Sequence, residues 1–409
     1  MSEQRQQKYP PSVQHGIPRL SVVQKGWKSA EIGKLVMEVV RPVEMDDDET
    51  YTLVTAKRSR GGIVRREKLK GYEIAVKNQF YIQAGDFIIS KRQIVHGACG
   101  FVPEELDGAI VSNEYLVLNF TDKVIPQFWE LLTHTVYFQQ VCFHSSIGVH
   151  VEKMLFKVSR WYQWKMNIPT LKEQEKIASF LGAIDTRLTQ LRRKHELLRT
   201  YKWGVMRKLF SQEIHFPKFK RKWNQLLIED IASVSSGGTP ERSASRYWNG
   251  DIPWVTTSEI GQRVIEKSAE KISLEGLQHS SAKIFQRDTI LLAMYGQGKT
   301  RGQVSILNIE ASTNQACAGI VTNKDYNPRF LYYFLFGEYE KLRKLSNDGS
   351  QKNLSSGLIK KYKVPNACLE EQKEIVDFLT AIDKKIEEIS QQINLTEQFK
   401  KGLLQKMFV

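Results

Sequence analysis

Little in this sequence equips it for chemistry of its own. Its four cysteines, Cys99, Cys142, Cys317 and Cys368, are scattered over 409 residues without a CxxC pair. That spacing encodes neither a disulfide framework nor a zinc ribbon, and reduced, mostly buried thiols are expected. No apolar run approaches the roughly 18 residues of a membrane span. The polar start MSEQRQQKYPPS lacks the apolar stretch of a signal peptide. A cytoplasmic chain without a membrane partner is therefore expected. The eight histidines form no HExxH and no metal-ligand spacing with cysteine. The acidic run Met45–Glu49 reads as an exposed turn and not as a metal site.

Nucleotide and methyl-transfer motifs are missing too. Gly298-Lys299-Thr300 in YGQGKTRG ends like a P-loop, but the position six before the lysine is Ala293 where glycine is required. The flanking TILLAM and RGQVSIL both read as strands, so this is a basic glycine turn between strands, carrying Lys299 and Arg301. The nearest approach to an Asn/Asp-Pro-Pro-aromatic tetrapeptide is NPRF (Asn327–Phe330), which lacks the second proline. The sequence shows no catalytic apparatus.

What is present is positive charge and repetition. The formal net charge is +15, which points to a polyanion, above all nucleic acid. Lys and Arg minus Asp and Glu give 22 − 18 = +4 over residues 1–168 and 14 − 5 = +9 over 169–222. The remainder gives 18 − 14 = +4 over 223–363 and 6 − 8 = −2 over 364–409. The hexapeptide FLGAID (Phe180–Asp185) returns as FLTAID (Phe378–Asp383), 198 residues later. That offset holds without a gap from Glu173 to Phe210, with 13 of 38 positions identical.

Each copy predicts a long helix. Ile177, Leu181, Ile184, Leu188 and Leu191, and then Ile375, Leu379, Ile382, Ile386 and Ile389, recur at alternating steps of four and three. This is the rhythm of a coiled-coil seam. Pro169 and Pro365 stand just before the helices and no proline interrupts them. The seam has three readings, a face turned to its own globular domain, to another chain, or to the other helix. A basic first helix and a slightly acidic second one favour pairing with each other.

The predicted order is a globular domain over 1–168, a central helix over 169–215, a second globular domain over 216–364 and a C-terminal helix over 365–409. Short β-rich runs broken by glycine, with the amphipathic segments IPQFWELL and NPRFLYYFL, predict α/β (α+β) domains. The two domains resemble each other weakly, Trp27 with Ile32 corresponding to Trp223 with Ile228. Antiparallel pairing of the helices as a coiled coil would relate the domains by a pseudo-twofold.

Candidate DNA-binding residues follow from clusters of cations near glycine. AKRSRGGIVRREKLKGYE packs Lys57, Arg58, Arg60, Arg65, Arg66 and Lys68 around Gly61-Gly62, as in a hairpin laid against phosphates with arginines reading guanine edges. Lys91 and Arg92 lie close by in sequence. The second domain offers SGGTPERSASRYWNGDIPWV, with Thr239, Arg242, Arg246 and Tyr247, its aromatics read as packing anchors. Lys299 and Arg301 in the glycine turn, and Lys352 in GSQKNL, complete the set.

From about Trp27 to Val409 the chain resembles the specificity subunit of a type I restriction-modification enzyme. The resemblance rests on KEQEKIASFLGAID and EEQKEIVDFLTAID, the helix ends YKWGVMRKLF and FKKGLLQKMF, and FPKFKRKW followed by GGTP and YWNGDIPWV. The first domain departs more, having no GGTP segment of its own. The resemblance implies two target recognition domains, each reading half of a split, asymmetric site in double-stranded DNA. It implies helices acting as a ruler and as a dock for two methyltransferase subunits, with two motor-nuclease subunits completing the complex. S-adenosylmethionine, ATP and magnesium would belong to those partners, with no cofactor in this chain. Three alternatives remain: the specificity subunit of a related two-subunit restriction system, a stand-alone DNA-modifying enzyme, and a coiled-coil scaffold without DNA specificity.

Overall fold

A computed structural model describes residues 16–296, 299–345 and 353–408. By its internal contacts the chain divides into two compact units, and the division does not follow the linear order of domains. The first unit is Met1–Leu191 with Gln392–Val409, and the second is Arg192–Gln391. Each unit thus holds one globular domain, the near half of the helix that follows it, and the far half of the other helix.

In the first unit two four-stranded sheets share the domain. One is antiparallel and runs Val36–Glu38, Tyr115–Phe120, Phe87–Ser90, Cys99–Phe101. The other runs Ile63–Lys70, Thr50–Ala56, Ile110–Ser112, Gln79–Tyr81, with one parallel pair in its centre. Strand Phe87–Ser90 is buried on both faces, which explains its continuous apolar sequence. The helix Pro126–Thr133, with proline in its first turn, buries Phe128 and Trp129 completely. A ribbon of Lys28–Glu31 with Lys165–Ile168 closes the domain ahead of the central helix.

The second unit repeats the plan with a different strand count. Its five-stranded sheet runs Ala232–Ser236, Cys317–Thr322, Ile290–Ala293, Val304–Leu307, Val264–Ile265. A three-stranded sheet joins Glu270–Ile272, Trp248–Val255 and Ser312–Thr313. A ribbon of Asn224–Leu227 with Lys363–Asn366 stands before the C-terminal helix, as its counterpart does before the central one. Ile290–Ala293 pairs antiparallel with Val304–Leu307. The P-loop look-alike therefore joins two strands and opens no helix; its Gly298 lies outside the described residues.

The helices run Leu171–Phe210 and Leu369–Phe408, each of 40 residues. In the first unit Phe408, Met407 and Leu403 pack with Ile177 and Leu181, while Lys400 pairs with Asp185 further along. The two segments are therefore antiparallel. In the second unit Met206 and Leu209 join Ile375 and Leu379 in one core, and Lys202 pairs with Asp383, which is again antiparallel. The readings of the seam toward its own domain and toward the other helix hold at once. Ile177, Leu181 and Ile184 face the first domain's core as well as the other helix, and Ile375, Leu379, Ile382 and Ile386 do the same in the second. Leu188, Leu191 and Ile389 are also buried.

Candidate nucleic-acid interface and helix junctions

The cation-rich segment of the first unit forms a hairpin, Thr50–Ala56 against Ile63–Lys70, at the edge of its sheet. Between Leu53 and Val54 the register slips, so that Arg66 is the extra residue of a bulge. Bulges re-aim side chains at sheet edges, and Arg65 and Arg66 are both exposed here. Arg66 pairs with Glu67 at 2.5 Å. Lys57, Arg65 and Lys68 are exposed, and their side chains form no ion pair or hydrogen bond among the described residues. Arg58, also exposed, donates to Gln93 at 2.9 Å and to Glu152 at 2.8 Å. That contact puts the hairpin turn beside Lys91 and Arg92. Lys91 is tied to the Asn113 carbonyl at 2.9 Å and Arg92 to Glu114 at 2.5 Å.

Arg60 departs from the expectation. Its Nε donates to the Thr133 carbonyl at 2.8 Å, and burial pushes its guanidinium below the usual arginine range. Its side chain is half-buried, with Nε turned into the unit.

The second unit's cations are more often engaged by their own chain. Arg242 pairs with Glu270 and lies over the Trp248 ring at 3.9 Å. Arg246 pairs with Glu275 at 3.0 Å and lies over Tyr247 at 5.1 Å. Tyr247 is buried and stacked on His279, and Thr239 bonds Gln315. Both residues are part of the loop's packing. Arg301 donates to the Arg343 carbonyl at 2.9 Å, whereas Lys299 is exposed. The described residues show no hydrogen bond joining the Thr239–Tyr247 loop to the Lys299–Arg301 turn. Lys352 lies outside the described residues.

The helix junctions carry polar residues that heptad reasoning missed. Trp27 Nε1 donates to Glu173 at 3.0 Å, and Trp223 Nε1 donates to Glu371 at 2.8 Å. Gln174 is fully buried, accepting from the Ile125 amide at 2.9 Å and donating to the Pro169 and Lys123 carbonyls. Gln372 likewise accepts from the Asn327 amide at 2.7 Å and donates to the Ala367 carbonyl. These amides sit at the starts of Pro126–Thr133 and Pro328–Gly337, where helix geometry leaves backbone donors unpaired. One glutamine thus fixes each short helix to each long one.

Further along, Lys400 meets Asp185 at 2.5 Å and Lys202 meets Asp383 at 2.6 Å. Asp383 is the more loaded of the two. It also accepts from Tyr333 Oη at 2.6 Å and pairs with Arg263 at 3.2 Å. Burial lowers the Lys202 ammonium against the opposing pull of Asp383. The signal for these pairs was in the repeat itself: both hexapeptides end in aspartate, and Lys202 and Lys400 share the 198-residue offset.

Among the described residues no group of His, Cys, Asp and Glu is arranged to hold a metal, and no helix is long and apolar enough to cross a membrane.

Comparison with known proteins bears on this geometry. The chain is 27% identical over 205 residues to the MjaIX type I restriction enzyme specificity subunit of Methanocaldococcus jannaschii. That match covers 48% of this chain and 46% of that protein, so it spans about half the relative's length. The MjaVIII specificity subunit of the same organism matches at 23% identity over 93% of this chain and 92% of its own. Among solved structures, the type I restriction-modification S subunit from M. genitalium shares the fold, with TM-score 0.61 and 15% identity over 96% of this chain and 99% of that one. The model of the type I restriction modification DNA specificity domain matches twice, over residues 38–199 and 220–398, each match spanning one globular domain and most of the helix after it. With well over half its length so matched, the chain belongs to the family of type I restriction modification DNA specificity domains.

Proposed function

We propose that the chain is the DNA-recognition subunit of a type I restriction-modification complex and is not itself an enzyme. Each unit reads one half of a split, asymmetric site in double-stranded DNA. The central and C-terminal helices set the spacing of the half-sites and present docks for two methyltransferase subunits, with two motor-nuclease subunits completing the assembly in the cytoplasm. S-adenosylmethionine, ATP and magnesium are used by those partners. One observation carries this reading: two units are tied to their helices by equivalent Trp–Glu, Gln–amide and Lys–Asp contacts. A duplicated junction is what two identical partners would need, while differing outer surfaces suit two different half-sites.

The spacing role has a direct test. The division between the units falls at Leu191 and Gln391, so a matched heptad is inserted after Leu191 and after Ile389. Seven residues keep the seam in phase and add about 10 Å to each helix. The half-sites should stay the same while the preferred spacer lengthens by at most about three base pairs at ~3.4 Å each. Fragments selected by the variant from a random-spacer library, or methylated by its assembled complex, give the answer. An unchanged spacer in an active variant overturns the ruler. Mapping methylated bases in the host genome gives the site itself, and a continuous site would overturn recognition by halves.

A further inference from the structure

We propose that Arg60 is a positioning residue for base reading by the first unit, holding the tip of the Thr50–Lys70 hairpin in a preformed, strained shape without touching DNA. The proposal rests on the reading above that this hairpin faces DNA.

The strain is in the backbone. Ser59 has φ 55° and ψ 33°, and Arg60 has φ 57°. Two successive non-glycine residues in the left-handed region are unfavourable, and such a turn persists only where its surroundings over-determine it. The two residues that do tolerate this region, Gly61 and Gly62, come immediately after. Gly62 does take a positive φ, of 80°, but Gly61 stays at −72°, so the left-handed pair falls on Ser59 and Arg60 and is not left to glycine alone.

Arg60 supplies the restraint. Its amide donates to the Gly97 carbonyl at 2.8 Å and its Nε to the Thr133 carbonyl at 2.8 Å. The guanidinium lies over Gly97, where a Cβ would be in ordinary contact with Cζ at 3.5 Å. Gly62 in turn rests on Gly100, where a Cβ would approach its Cα to 3.2 Å. Thr133 ends the short helix Pro126–Thr133, where unpaired carbonyls and the helix dipole favour a cation. The other end of that helix is held by Gln174 of the central helix. A continuous tie therefore runs from the hairpin tip through Arg60 and one short helix to the long helix. Outward of the tie stand the exposed Lys57, Arg58, Arg65, Arg66 and Lys68. The inward arginine fixes where the outward ones point, and base reading tolerates little misplacement because bidentate contacts are directional.

The test uses the full chain with Arg60→Met, Arg60→Lys and Arg65→Ala. The probes are a pool of duplexes of random sequence and one fixed random duplex titrated over salt. For Arg60→Met, preference at one half-site should relax by about tenfold, with the other half-site, the affinity for the fixed duplex and its salt slope unchanged. Arg60→Lys, which keeps the charge but loses the fork, should fall between. Should the methionine variant lose its fold, as read by hydrogen exchange of the Phe87–Ser90 sheet, the folded lysine variant decides. A relaxed half-site then supports the proposal and full preference overturns it. A lower affinity for every sequence with a smaller salt slope would make Arg60 a phosphate contact and overturn the proposal. Intact preference in Arg60→Met, with altered binding in Arg65→Ala, would overturn the strut while leaving the hairpin on DNA. If neither Arg60→Met nor Arg65→Ala changes DNA binding, the DNA-facing reading of the hairpin falls, and the strut with it.

Discussion

In the first unit Trp27 reaches Glu173, Gln174 holds the start of a short helix, and Asp185 meets Lys400. In the second, Trp223, Glu371, Gln372, Asp383 and Lys202 do the same at offsets of 196 or 198 residues. Away from these junctions the units part company. The first presents a bulged hairpin edged with cations that have few partners of their own, and the second a loop whose arginines are stacked and paired. The junction must meet the same helix geometry twice, so its residues recur. The outer surface faces no such constraint, and there the copies differ even in strand count.

The equivalence of the junctions is broken hardest at the shared core. Leu181 and Leu379 are both fully buried, each inside its unit's main apolar cluster. Aspartate at either position leaves an unpaired carboxylate in that cluster, on top of a cavity cost of about 2–5 kcal/mol. Each variant should unfold its own unit, read as lost hydrogen-exchange protection in that unit's sheets. Full protection in either variant would mean that the helix segment is not part of that core.

A second pair of variants sharpens the comparison by separating equivalent residues. Asp383→Ala removes the partner of a buried lysine and the nearer acceptor of Tyr333 and Arg263, which keep Thr380 at 3.2 Å and Glu387 at 3.7 Å. Such a loss typically costs about 3–5 kcal/mol. Asp185 is 46% exposed and its pair with Lys400 is correspondingly screened, so Asp185→Ala should cost about 1 kcal/mol or less. Denaturant melts of the two variants measure the difference, and equal costs would show that the extra partners of Asp383 add nothing.

Much of this architecture was legible in the sequence because repetition is hard to produce by accident. The offset of 198 exposed the helices and the order of elements; antiparallel pairing was an expectation, and the Lys400–Asp185 and Lys202–Asp383 pairs are what establish it. The short helices were visible from Pro126 and Pro328 and the apolar residues after them. Sequence could not reveal that the division between units cuts each helix in the middle, since that depends on contacts between residues about 200 positions apart. The candidate interface was only half legible. Cation density located the hairpin, but density does not tell an outward arginine from an inward one. Arg60 lies between Arg58 and Gly61 with no sequence mark of its buried role, and the acceptor it uses, Thr133, is 73 residues away. Glu270 and Glu275 are as far from recognition by eye, yet they decide what Arg242 and Arg246 are free to do.

The contrast between the two outer surfaces makes a smaller prediction. Alanine at Arg65 and Lys68 breaks no ion pair or hydrogen bond among the described residues, so stability should change by less than about 0.5 kcal/mol. Affinity for any duplex should fall, and the slope of log affinity against log salt should drop by roughly one for each phosphate no longer neutralised. Arg242→Ala should behave the other way, costing the second unit about 0.5–2 kcal/mol through its missing stack on Trp248 and leaving the slope unchanged. A salt slope altered only by Arg242→Ala would put a phosphate contact on Arg242 and take it from Arg65 and Lys68.

The smallest expected effect concerns pH and should appear in one unit alone. Burial, with Arg60 and Lys400 nearby, pushes the His134 imidazole down to about 4. The unfolded chain titrates this group near 6.5. Between these values the unfolded state binds the proton and the folded state does not. The contribution of His134 is therefore complete above about pH 6.5 and is lost as pH falls toward about 4. Glu130 works against it, since burial and the neighbouring Asp185 raise its carboxyl, so the useful quantity is a difference between variants. The His134 side chain is nevertheless exposed, so solvent screens the effect and limits the change to roughly 1–2 °C in Tm. His134→Asn should flatten the acid limb of the first unit's melting by that amount. Phe336 occupies the corresponding place after Pro328 in the second unit and has nothing to titrate, so the second unit's melting should be the same in both proteins. An acid limb unchanged by His134→Asn would show that the imidazole is as accessible to protons in the folded unit as in the unfolded chain.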